Sequence, residues 1–166
     1  MMSEHLSDSA VQRNAEGAIV EALAKQLSFE GSLKPKRMAV LGGGYVQLDA
    51  CSEDDRILVE AYARQGKLKG AQIKKISQDI LKLALLRRDP RLRDSRAIAV
   101  FASEEARDSI TGWIRLAAEQ FGIELMVVEI PDALRDEIKA AQGRQVMVNV
   151  EIPMDEIADD VTFEKG

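Results

Sequence analysis

Asp49 and Glu60 stand on two apolar runs, Tyr45–Cys51 and Arg56–Ala63, separated by the acidic stretch Ser52-Glu53-Asp54-Asp55. Run, turn and run predict a β-hairpin. Centred on Glu53 to Asp55, the hairpin places Asp49 across from Val59 and Leu48 across from Glu60, so the two carboxylates fall within about one residue step of each other. Carboxylate oxygens at that spacing suit a hard divalent cation, and Mg²⁺ or Mn²⁺ held there would activate water for phosphodiester hydrolysis. The chain has one histidine, His5, close to its start, which argues against imidazole metal sites and His-based triads. Its one cysteine, Cys51, forbids an internal disulfide and suits a reducing cytoplasm. Two positions after Asp49, Cys51 is expected to face the same side as Asp49. Nothing basic accompanies it in sequence, so it reads as a small buried hydrophobe.

The hairpin needs a scaffold, and the flanking sequence supplies one. Val11, Ala15, Ala18, Ala22 and Leu23 recur at helical spacing and predict a first helix from Ser9 to Leu27, with residues 1–8 as a frayed end. A loop containing Gly31 and Pro35 follows, then a short strand, Arg37–Leu41. Gly42-Gly43-Gly44 lacks the lysine and the following helix of a phosphate loop and reads as a turn. A long helix is expected from Ala71 to Arg88, stopped at Asp89-Pro90. Beyond it come a buried strand (Ala97–Ala102), a helix capped by Ser103 and reaching Phe121, a strand (Ile123–Ile130) and a helix from Pro131 to Gln142. Trp113 and Phe121 are expected to pack on the sheet. Val146–Val150 alternates like a short strand, and 151–166 is an acidic tail. The expected fold is a single-domain α/β sandwich over 9–150 with a mixed central sheet, antiparallel at the hairpin and parallel at the later strands.

This order, with an Asp and then a Glu on the hairpin, resembles the core of the PD-(D/E)XK nuclease superfamily, the restriction-endonuclease-like fold. The resemblance covers about residues 9–130 and implies that Asp49 and Glu60 are metal ligands. It also implies a lysine two residues after the Glu, where this chain has Tyr62, and a residue before the Asp that here is Leu48. Members with a displaced lysine often supply it from the next helix. Here Gln72, Lys75, Asp79 and Lys82 form a polar stripe along the edge of the apolar face made by Ile73, Ile76, Ile80 and Leu83. Lys75 is the first choice for the lysine, Gln72 for positioning water or phosphate, and Asp79 for orienting them. An i,i+4 Lys75–Asp79 pair on an ordinary amphipathic helix is the plainer account. Glu16, beside Ile19, Val20 and Leu23, is an accessory acid on the first helix or simply a boundary residue of it.

Charge is distributed unevenly. Residues 61–96 carry eleven Lys or Arg against three acids, whereas 151–166 carry six acids and one lysine, within a chain of net charge −5. The basic block follows the carboxylates, where a nucleic-acid backbone would lie, and Arg64, Lys67, Lys69, Arg87 and Arg88 are the candidate phosphate contacts. DNA is favoured over RNA. The acidic tail is a candidate contact with a second copy, with a partner protein or with the basic block itself. No apolar run reaches a membrane span, and the N-terminus carries no signal-peptide pattern. The expected function is a Mg-dependent nuclease-like protein; the alternative is a catalytically decayed nuclease fold that binds nucleic acid or protein.

Overall fold

The computed structural model describes residues 2–150, with side chains from 8 to 146; the acidic tail lies outside the described residues. Five strands form one mixed sheet in the order β1-β2-β3-β4-β5, with β1 Leu33–Ala39, β2 Tyr45–Ser52, β3 Ile57–Tyr62, β4 Arg96–Phe101 and β5 Ile123–Val127. The first three strands meander antiparallel, and β3, β4 and β5 run parallel. Helices α1 Met2–Gln26 and α5 Asp132–Val150 cover one face; α2 Gly70–Leu86, α3 Glu104–Asp108 and α4 Gly112–Gln120 cover the other. Parallel strands need long crossovers, which is why the two connections β3-α2-β4 and β4-α3-α4-β5 carry helices. The result is three layers with a separate apolar core on each side of the sheet.

β3 lies at the centre, and all six of its residues are buried. Leu58 and Tyr62 point into the core shared with Ile76, Ile80 and Leu83 of α2. Ile57, Val59 and Ala61 point into the core shared with Ala15, Ile19 and Leu23 of α1. Strand alternation therefore sends Glu60 to the α2 side.

Several expected boundaries move, each for a local reason. α1 starts at Met2 rather than Ser9, and Asp8 is tied to α5 by an ion pair with Arg144. β1 begins at Leu33, so Pro35 lies within a strand; as an edge strand β1 tolerates a residue with no N–H. The helix expected from Ser103 to Phe121 is two helices, separated by Ser109 to Thr111, with Gly112 at a positive φ of 61° opening the second. Ser103 Oγ does cap the first, accepting the Ala106 N–H at 3.2 Å. Val146–Val150, expected to alternate as a strand, instead continues α5. Trp113 and Phe121 do not pack on the sheet: Trp113 is 72% exposed and Phe121 is exposed as well. Among the described residues no helix is long and apolar enough to cross a membrane.

The hairpin register also differs by one residue from the expected one. Ala50 pairs with Val59 and Cys51 with Leu58. The turn is longer because Asp55 adopts a left-handed conformation at φ 60°. Ser52 Oγ holds it together, accepting the N–H groups of Arg56 and Ile57 at 3.0 and 2.9 Å.

Candidate functional site

A β-bulge sets the position of Asp49. On β1, Lys34 pairs with Cys51 and Lys36 with Leu48, so Asp49 and Ala50 together face the single residue Pro35. The extra residue rotates the strand. Leu48 and Cys51 both enter the α2-side core and Ala50 the α1-side core, while Asp49 borders a groove against Glu16 and Val20 of α1. Cys51 therefore does not share a side with Asp49, as regular alternation predicted. It donates to Asp55 Oδ1 at 3.4 Å, and burial, followed by that contact, pushes its thiol up to about 12. A thiol so held is not a nucleophile near neutral pH.

The β2–β3 pairing stops at Ala50 and Val59, and beyond it the Asp49 carboxylate takes the Ala61 N–H on Oδ2 at 2.9 Å. Glu60 is only 2% exposed. Burial, and then hydrogen bonding with the Asp49 carboxylate, pushes Glu60 up to about 8, with Lys82 pulling the other way. The two carboxylates therefore act on each other electrostatically. Two acids so close in a poorly solvated place cannot both ionise freely, and holding a proton on Glu60 is the ordinary response.

The lysine beside Glu60 is Lys82. Its Nζ lies 2.5 Å from Glu60 Oε1 and 3.3 Å from Asp79 Oδ1, and it donates to the Gln47 carbonyl at 3.0 Å. The Glu60 contact is close but poorly directed, since Oε1 is buried with no hydrogen-bond partner of good geometry. Burial lowers the Lys82 pKa, but Glu60 and Asp79 outweigh it and the net shift is upward, so the ammonium stays charged. Tyr62 fills the place where the resemblance expects a lysine. Its hydroxyl donates to Asp79 Oδ2 at 2.9 Å, and burial, then Asp79, hold the phenol well above its ordinary value. Glu60, Lys82, Asp79 and Tyr62 thus form one connected buried network between β3 and α2.

The other sequence candidates take different places. Lys75, about two helical turns nearer the N-terminus of α2 than Lys82, lies 3.9 Å from Asp79 and 5.8 Å from the Tyr62 ring centre; among the described residues no ion pair joins it to Glu60. Gln72 accepts the Lys69 N–H on Oε1 at 2.8 Å, which serves the start of α2. Glu16 borders Asp49, and burial, then Asp49, raise its pKa. Arg87 is a structural clamp, donating to the carbonyls of Phe121, Gly122 and Arg93. Arg88 is exposed at the end of α2, more than about 25 Å along the helix from Lys69 by its rise per residue. Lys67 and Lys69 are exposed where β3 leads into α2, and Arg64 lines a cavity beside them.

Among the described residues, no group of three or more His, Cys, Asp and Glu side chains is placed to hold a metal ion. Asp49 and Glu60 supply only two carboxylates, and a fixed ammonium already sits against one of them. A Mg²⁺ or Mn²⁺ ion on that pair would have to displace the Lys82 ammonium from Glu60. Comparison with protein-family models, with curated proteins and with solved structures finds no match.

Proposed function

We propose that this chain is a non-catalytic binding module built on a nuclease-like α/β scaffold, with nucleic-acid backbone as its ligand. The observation that carries this reading is the seat of Lys82, 2.5 Å from Glu60. A cation-binding carboxylate pair needs a mobile, exchangeable counter-charge. Here the counter-charge is covalently part of α2, and the proton held on Glu60 removes the rest of the demand. The Tyr62–Asp79 bond fixes the same arrangement from the β3 side. The element order and the Asp49–Glu60 pair support the nuclease-like part of the reading, and the Lys82 ammonium beside Glu60 supports its non-catalytic part.

The nucleic-acid part of the reading rests on charge. Lys67, Lys69 and Lys74 are exposed at one end of the molecule and form no ion pair among the described residues. Such ammonium groups bind phosphate by releasing condensed counterions, with little regard for sequence.

Two measurements test the reading together. Calorimetric titration with Mn²⁺ into folded protein is expected to give no heat of binding at millimolar metal. A DNA-binding assay across a salt series is expected to show affinity falling steeply with salt, with no cleavage of the strand. Metal-dependent cleavage that Glu60→Gln abolishes would overturn the proposal in favour of an active nuclease.

A further inference from the structure

A cavity of about 190 Å³ opens at the C-terminal end of β3, walled by α1, α2 and α5. Its floor is apolar, from Ile76, Ile138 and the face of Tyr62, and its cations are Arg64 and Lys75. Arg64 is the unusual member. It forms no ion pair or hydrogen bond among the described residues, and its Nε is buried without a partner. A guanidinium turned into a cavity with a buried, unsatisfied N–H carries a desolvation cost that an oxyanion would remove.

The acids around the cavity do not meet that demand. Asp8 is engaged by Arg144 from α5. Glu16 accepts a hydrogen bond from Gln12 at 3.3 Å, and burial, then Asp49, shift it toward the protonated form. Lys75 lies over the rim, with most of its side chain in solvent and only a 3.9 Å contact to Asp79. The planar fork of an arginine matches two oxygens of one phosphate, and a lysine at the rim adds a point charge.

Size and access choose among anions. The cavity has helices on three sides, and its roughly 190 Å³ takes a phosphate group but not a double helix. A phosphate at the end of a strand enters such a space with chain on one side of it only.

We infer that the Arg64 cavity is a seat for a terminal phosphate monoester, so that the module binds strand ends bearing phosphate in preference to strand interiors. This deepens, and rests on, the nucleic-acid reading proposed above. The lysines at Lys67, Lys69 and Lys74 would hold the following backbone, and Arg64 would read the end.

The test compares two oligonucleotides of one sequence, labelled at the 3′ end, with and without a 5′-phosphate, by fluorescence anisotropy at fixed salt. The phosphorylated strand is expected to bind about tenfold tighter, the scale of one charge-assisted arginine–phosphate pair. In Arg64→Gln that ratio is expected to collapse to about one, and in Arg64→Lys to fall between, since the charge stays and the fork is lost. Circular dichroism confirms that the variants fold. Equal affinities for the two strands in the unaltered protein would overturn the phosphate seat and leave the backbone-binding reading intact. If neither strand binds, the nucleic-acid reading fails. The seat is then judged by inorganic phosphate alone: a thermal shift that Arg64→Gln removes supports a seat for small phosphate monoesters, and no shift overturns it.

Discussion

Glu60→Gln isolates the charge state on which the functional reading turns. The carboxyl rises from its ordinary 4.5 to about 8 in the folded protein. In the unfolded chain Glu60 releases its proton near 4.5, while the folded chain keeps it until about pH 8. Between those values the folded state binds more protons, so stability must fall as pH rises. The contribution is fully present below 4.5 and is lost by about 8. One pH unit within the window is worth about 1.4 kcal/mol, which over the rise from 4.5 to about 8 makes the whole effect on the order of 5 kcal/mol. Glutamine keeps the shape and has no proton to release. The variant should therefore gain on the unaltered protein steadily from about pH 5 to about pH 8, and the other titrating groups cancel in the difference. Urea unfolding followed by circular dichroism at several pH values measures it. Parallel stability curves for the two proteins would refute the argument, because they would mean that Glu60 ionises in the fold as it does in the open chain.

Other substitutions probe the rest of the network and surface. Lys82→Met removes the resident cation beside Glu60 and Asp79 and should destabilise the fold by roughly 3–5 kcal/mol above about pH 8, where Glu60 is ionised, and by less at neutral pH; combining it with Glu60→Gln should recover part of the high-pH loss, as a double-mutant cycle in urea would record. Tyr62→Phe leaves Asp79 short of one donor and should cost about 1–2 kcal/mol at neutral pH by the same measurement. Arg87→Ala should lower the melting temperature through its lost carbonyl bonds while leaving DNA affinity unchanged, and a loss of affinity at equal stability would restore Arg87 to the binding surface. Replacing Lys67, Lys69 and Lys74 together by glutamine should reduce the slope of log affinity against log salt by roughly 0.7–0.9 per lysine.

The α/β class, the mixed sheet and the hairpin that carries both acids were legible from apolar runs and turn residues, since those patterns are local. So was the polar stripe of α2: helical periodicity alone groups Asp79 and Lys82 with Lys75 on one edge. It cannot say which lysine reaches Glu60. That depends on how α2 lies across the sheet, which Ile76, Ile80 and Leu83 decide by packing on Leu58 and Phe101. The register of Asp49 was hidden for a similar reason. A bulge opposite Pro35 and a left-handed Asp55 each insert a residue that no alternation rule announces. Arg64 and Arg87 look alike in sequence. One closes a chain of carbonyls and the other faces a cavity, and only tertiary placement separates them.

The chain's single tryptophan stands in solvent on α4, away from both cores. Its emission should already be red-shifted in the native protein and change little on denaturation, so ordinary intrinsic fluorescence is a poor gauge of folding here. The same placement makes the indole a natural optical label. Any molecule that came to rest against α4 would shield it from water, shift its emission to the blue and protect it from iodide quenching. Docking on that face could thus be watched with no added dye, while unfolding has to be followed by the backbone's own ultraviolet signal.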